Sequence, residues 1–294
     1  MTGFLTELGK RLAERWVAVL VIPGALFVSV AVAAVILRHR RWADTSLLWQ
    51  ELTEFTATGQ DGAGLTRGVV VLLAVLIASA GAGLVAQVLR RPVEHALTGR
   101  WPFFLRPLAA VLTTRRKNKW TRRDGDYQQA QDKDQQESLG ELRTRRNNIA
   151  LTPPRFPTWL GDRLHAPASR VSCEYGLELG SSWPRLWLLL PDSTRQPLIE
   201  ARERLDNATA LGGWASLYLA LGAVWWPSAV LGVCLGFIAW RRARATGDVY
   251  ADLVEATYDV HLAELVNRFG HAEGLRPISL QRGRELTERF RKGT

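Results

Sequence analysis

The stretch Ala208–Trp240 constrains this chain most: 33 consecutive residues without one Asp, Glu, Lys, Arg or His, ended by Arg241-Arg242. As a single helix it would be about 50 Å long, against a bilayer hydrocarbon core of roughly 30 Å. Trp225-Trp226-Pro227 falls near its middle. Proline interrupts the helical hydrogen-bond ladder, and tryptophan favours the headgroup level of a membrane. The stretch therefore reads as two short helices joined by a tight turn at the far interface, with both ends on one side.

Two further stretches extend the pattern. Residues 16–37 and 68–89 each run 22 residues without charge, about 33 Å if helical, which is long enough to span a bilayer. Pro23-Gly24 predicts a kink in the first, and Arg90-Arg91-Pro92 a stop to the second. Small residues Ser79, Gly81 and Gly83 permit close helix contact, within the protein or between copies. Ahead of the first span, Phe4, Leu5, Leu8, Leu12 and Trp16 stand at helical spacing among charges, predicting an amphipathic lead-in along the interface. The apolar run behind it is too long for a cleavable signal and lacks a small-residue cleavage pattern. Between the spans, 44–56 predicts a short surface-lying helix, followed by a turn at Gly59, Gly62 and Gly64.

The polar remainder reads as helices. Residues 108–120 are amphipathic and follow Pro107, a favourable first helical position. The run 121–138 has no Val, Leu, Ile or Met and is an exposed helix or disordered; 139–149 resumes weak helical spacing. Pro153-Pro154 and Pro157 mark a loop. Trp159–Tyr175 predicts a helix closed by Gly176, and Ser182-Trp183-Pro184 starts a short apolar turn ending at Pro191. A helix from about Gln196 runs into the third span. Beyond the fourth, 241–267 continues as a helix with a seam at Val249, Leu253, Thr257, Val260 and Leu265, stopped by Gly270. A short helix over 281–291 closes the chain.

The expected architecture is an all-α membrane protein, two transmembrane helical hairpins flanking a basic α-helical cytoplasmic domain. Residues 1–89 form the lead-in and first hairpin, 90–207 the cytoplasmic domain, 208–240 the second hairpin and 241–294 a cytoplasmic tail. Charge orients it. Lys and Arg outnumber Asp and Glu by 3 to 2 in 1–16, by 21 to 14 in 90–207 and by 10 to 8 in 241–294, while 38–67 holds 4 of each. The net +10 thus lies on one side, and the positive-inside rule makes that side cytoplasmic, with both termini. Only five of the 38 cations are lysine, an arginine bias that accompanies GC-rich coding, so the high pI alone identifies no partner. Cys173 and Cys234 read as small packing residues, and the five histidines have no metal-ligand spacing with cysteine or acid.

The runs ELGKRLAERW into VLVIPGALF, EHALTGRWP, EYGLELGSSWPRLWLLLPD and YADLVEATYDVHLAELVNRFG resemble a family of uncharacterised, mostly actinobacterial, four-span integral membrane proteins. The pair Tyr175-Gly176-Leu177 and Trp183-Pro184-Arg185-Leu186-Trp187 carries most of the likeness. Its relatives continue one helix where this chain has Pro167. The resemblance implies the same layout in a bacterial cell membrane and supplies no catalytic residues or cofactor.

Candidate contacts follow from charge and aromatic content. Arg115, Arg116, Lys117, Lys119, Arg122 and Arg123, with Trp120 among them, form a cluster suited to the phosphates of anionic lipid headgroups; a solvated face in an Arg-rich chain is the competing reading. Nucleic acid is disfavoured, because no recognised binding motif accompanies the run. Tyr175, Trp183, Arg185 and Trp187 form an apolar, aromatic patch, suited to packing within the protein or to docking a partner. Asp248, Asp252, Glu255 and Asp259 share one helical face, expected to meet the basic block or water. No predicted span holds an Asp, Glu, Lys, Arg or His, which argues against coupled transport. No nucleotide-binding loop, zincin or nucleophile-elbow motif is present, so no enzyme, metal or cofactor is expected. The reading is a membrane anchor or scaffold that contacts anionic lipid and recruits a protein; a homo-oligomeric pore or membrane-disrupting effector is the alternative.

Overall fold

The computed structural model describes residues 21–44, 46–47, 49–50, 53, 63–133, 136–269 and 279–291. All regular structure among them is helical, with no strand. The helices are α1 (Ile22–Leu37), α2 (Ala63–Thr98), α3 (Arg106–Asp132), α4 (Gln136–Asn147), α5 (Trp159–Tyr175), α6 (Leu179–Leu189), α7 (Asp192–Leu221), α8 (Trp226–Phe269) and α9 (Leu280–Arg291). The lead-in at 1–16, Gly59 and Gly62 of the expected turn, and Gly270 lie outside the described residues, as does much of the 44–56 segment; Gly64, expected in that turn, is instead the second residue of α2. The chain divides into two compact units, one of Met1–Val93 with Ala208–Trp240, the other of Glu94–Asn207 with Arg241–Thr294.

In the first unit, one helix among the described residues is long and apolar enough to cross a membrane, the segment that begins at Gly68, with a mean hydropathy of 2.7 in its most apolar window. Ile22–Leu37 is a shorter apolar helix. Pro23 falls in the first turn of α1, where a missing N–H has no intrahelical partner to lose. The helix α2 does not stop at Arg90-Arg91-Pro92; it carries Pro92 inside and ends at Thr98. Charge ends the apolar segment there, but arginine is a good helix former, and the left-handed Gly99 (φ 75°) ends the helix instead.

Small residues let backbones approach closely. A Cβ on Gly24 would stand 2.1 Å from the Ser79 carbonyl oxygen, and one on Gly213 would stand 2.2 Å from that of Ala86. Ser79 therefore takes part in a helix crossing, whereas a Cβ on Gly81 would meet nothing within 4 Å. The turn between α7 and α8 occupies the residues around Trp225, and Pro227 sits in the first turn of α8. At this turn the Trp225 indole donates to the Trp42 carbonyl (3.2 Å), the Trp226 amide donates to His39 Nδ1 (3.2 Å), and the Trp42 and Trp226 rings lie 5.0 Å apart. The α7–α8 turn and the segment after α1 thus meet at one end of the unit.

In the second unit, α3 and α4 form an antiparallel hairpin. The polar run 121–138 is helical through Asp132, tied across the hairpin by Arg146 to Asp124 (2.9 Å) and by the Arg146 guanidinium over the Tyr127 ring. Thr158 caps α5 through its hydroxyl to the Gly161 amide (3.1 Å), and Gly176 (φ 67°) closes that helix. Pro167 is buried inside α5. The expected apolar turn at Ser182–Pro191 is instead the helix α6, with Pro184 exposed within it and Ser182 and Leu186 buried. The expected seam of α8 holds at Leu253, Thr257 and Leu265 and fails at two positions. Val249 and Val260 face outward, and Ala243, Gly247, Ala251, Val254, Tyr258, Leu262 and Leu265 form the buried stripe, stepping by four, four and three residues as a packed helix face requires. Leu177, Leu186, Leu198, Leu286 and Phe290 complete the core around Tyr258. Burial pushes the Tyr258 hydroxyl up to about 12; it pairs with Ser182 Oγ at 2.9 Å.

Candidate functional site

The cationic run of α3 divides by helical phase. Arg116 and Trp120 point into the second unit. One terminal nitrogen of Arg116 donates to the carbonyls of Phe156 (2.5 Å) and Thr158 (2.8 Å) and to Asp162 (2.5 Å), and the other donates to the Ile149 carbonyl (2.6 Å). Asp162 also accepts the backbone amides of Arg155 (2.7 Å) and Phe156 (2.8 Å). The Trp120 indole donates to the Ala150 carbonyl at 2.9 Å. These two side chains hold the 149–158 loop against α3 and α5, so neither is free to grip a headgroup. Arg115, Lys117, Lys119 and Arg122 are exposed and make no ion pair among the described residues. Arg123 lies 3.8 Å from Asp126. Arg115, Lys119 and Arg122, at i, i+4 and i+7, share one face, with Asn118 and Gln129 beside them in a shallow depression. The Arg123–Asp126 pair lines the same depression, which leaves three cations, unpaired among the described residues, at a spacing that suits a row of phosphates.

The aromatic patch divides in the same way. The Tyr175 hydroxyl donates to Asp259 (3.0 Å); burial first, and then that bond, raise it above its ordinary value. Arg185 donates to the Phe290 carbonyl (3.0 Å) and stands 4.4 Å over the Phe290 ring, fastening α9 to α6. Trp183 stacks on Tyr258 with ring centres 5.9 Å apart and lies the same distance from Trp187. Only the two tryptophans remain available to a ligand. With Pro184 and Leu188 of α6 they line an apolar groove of about 590 Å³, which Leu198, Ile199, Arg202 and Glu203 of α7 and Tyr250 of α8 complete.

The acidic face of α8 meets arginines of α5, which sequence reasoning had not singled out. Arg163, with a side chain 4 % exposed, donates to Asp248 (2.5 Å), Asp252 and Glu255 (3.0 Å). Burial opposes its charge, but the three carboxylates outweigh that and raise the guanidinium above its ordinary value. Arg170 reaches Glu174, Glu255 and Asp259. The i, i+4, i+7, i+11 spacing on α8 was the available signal; the matching Arg163 and Arg170, seven residues apart on α5, were its counterpart. His165, on the same helix, is held below its ordinary value by burial and then by Arg155. Among the described residues no cluster of histidine, cysteine and acid is arranged to hold a metal.

Comparison with known proteins returns no family, no curated protein and no solved structure that matches the chain.

Proposed function

We propose that the protein is a four-span integral membrane anchor of the bacterial cell membrane, with both termini and the basic helical unit in the cytoplasm. The unit contacts anionic lipid through Arg115, Lys119 and Arg122 and recruits a protein partner without catalysing a reaction. One observation carries the reading. The helices of the first unit turn large apolar side chains outward: Ile77 is 72 % exposed, Val88 73 %, Leu26 62 % and Val233 62 %. Apolar area in water costs about 25 cal/mol per Å², and soluble monomers rarely leave contiguous faces of this kind uncovered. Lipid covers them at no such cost. Three spans beside Gly68 onward are part of the proposal: residues 16–37, and the two arms of Ala208–Trp240. The tryptophans gathered at the α7–α8 turn support it, since that ring chemistry suits the headgroup level.

The test uses purified full-length protein in nanodiscs mixed from phosphatidylglycerol and phosphatidylcholine, with lipid retention read by native mass spectrometry. At about 1 kcal/mol per surface cation, Arg115→Gln/Lys119→Gln/Arg122→Gln together lose about 3 kcal/mol, roughly a hundredfold in phosphatidylglycerol retention. Unchanged retention contradicts the lipid role. A pulldown from mild detergent that enriches no protein contradicts the scaffold role.

A further inference from the structure

The groove between α6, α7 and α8 joins apolar walls to an acidic edge. Trp183, Trp187, Leu188 and Ile199 supply the walls, and its volume of about 590 Å³ lies in the range of sites for small ligands, roughly 300–1,000 Å³. At the edge, Arg202 is held between Glu94 (2.8 Å) and Asp206 (3.1 Å). Burial opposes the Arg202 charge and the two carboxylates outweigh it. Glu203 is exposed and makes no ion pair among the described residues. Two carboxylates thus share the Arg202 guanidinium, and Glu203, which lines the groove itself, adds a further negative charge there. Nearby Arg204 is turned to Glu200 at 3.6 Å and leaves the balance negative. An anionic headgroup is repelled by this edge, and a cationic one is attracted. In sequence, Ile199–Glu203 end five residues before the uncharged stretch Ala208–Trp240, and Tyr250 follows it by ten.

We propose that this groove holds one hydrocarbon chain of a membrane phospholipid whose headgroup carries an ammonium, with that ammonium against Glu203. The proposal rests on the membrane-anchor reading and assigns the groove a lipid of different charge from the one that meets α3. The walls bury the chain next to the two indoles; the carboxylate excess selects the headgroup.

Full-length protein in nanodiscs is exposed to phosphatidylethanolamine carrying a photoactivatable acyl chain, or to phosphatidylglycerol with the same chain, and adducts are mapped by mass spectrometry. Phosphatidylethanolamine is expected to label the segment 183–203 and Tyr250 severalfold more than phosphatidylglycerol does. Glu203→Gln, an exposed and isosteric change, brings the ratio to about one, and Ile199→Trp fills the groove and abolishes the adducts. Equal labelling by both lipids in the unaltered protein, adducts only outside the groove, or labelling indifferent to Ile199→Trp overturns the proposal. So does a groove shielded by a co-purified protein. Alkaline carbonate extraction, run alongside, separates the two readings: protein released from the membrane defeats the anchor itself, whereas integral protein without groove adducts defeats only the lipid site.

Discussion

Arg115 and Arg116 are adjacent in sequence and opposite in effect. Arg116 bonds three carbonyls and Asp162, whose side chain is 7 % exposed; Arg115 faces solvent. Removing one partner of a buried ion pair leaves the other charge uncompensated, at a cost of about 3–5 kcal/mol. Arg116→Met is therefore expected to lower the thermal midpoint of the purified protein by many degrees, while Arg115→Gln shifts it within the ~0.5 kcal/mol of an ordinary surface change. Equal effects would contradict the partition. His165 gives a pH prediction. Its folded value is depressed, so the unfolded chain binds the proton more tightly, and stability rises with pH across the interval between the two values. The contribution is complete above the ordinary histidine value near 6.5 and is lost as pH falls below it. Melting between pH 7 and 5 should show that decline, and His165→Phe should flatten it. Composition and spacing made the α3 run conspicuous but could not divide it. The division depends on acceptors 33 to 46 residues away in the 149–162 segment, and no local pattern announces those.

Helices were legible where apolar period or terminal chemistry was clear. Gly176 at the end of α5 and the α7–α8 turn at Trp225-Trp226-Pro227 follow from glycine and proline acting locally. The helix α6 was misread as a turn because Pro184 looked like a breaker, yet an exposed proline removes one hydrogen bond and leaves Leu186 and Leu190 to pack. The α8 seam was placed on bulky Val249 and Val260, whereas the neighbours there require Ala243, Gly247 and Ala251; close approach selects small residues, and hydropathy does not rank them. The Gly283 contact of α9 follows the same logic. A Cβ there would lie 1.7 Å from the Tyr175 carbonyl oxygen, closer than any side-chain shift can relieve. Gly283→Ala is expected to cost at least about 1–3 kcal/mol and to release α9, read as lost hydrogen-exchange protection around Phe290. Protection equal to that of the unaltered protein would show that α9 is not fastened at this crossing. In the first unit, Gly24→Leu places a side chain against the Ser79 backbone. It is expected to separate α1 from α2, read as lost crosslinking between cysteines placed at Gly24 neighbours and at Ser79 neighbours.

At the scale of the molecule, the helical content was readable from apolar spacing, and the one long apolar helix from uncharged length. Four crossings are proposed from the uncharged lengths and their direction from charge asymmetry, because a bilayer leaves no mark on a sequence beyond length, hydropathy and flanking cations. Outward-facing Ile77, Leu26 and Val233 give that inference its physical ground, and the α3 cations and the α6–α8 groove take their proposed lipid roles from it. Native Cys173 is exposed in the second unit and provides an internal probe once Cys234 is changed to serine. Intact cells carrying Arg40→Cys in this background are treated with a membrane-impermeant maleimide. The account predicts labelling at residue 40 and none at Cys173 until the cells are lysed; labelling of Cys173 on intact cells, or protection of residue 40, would contradict it.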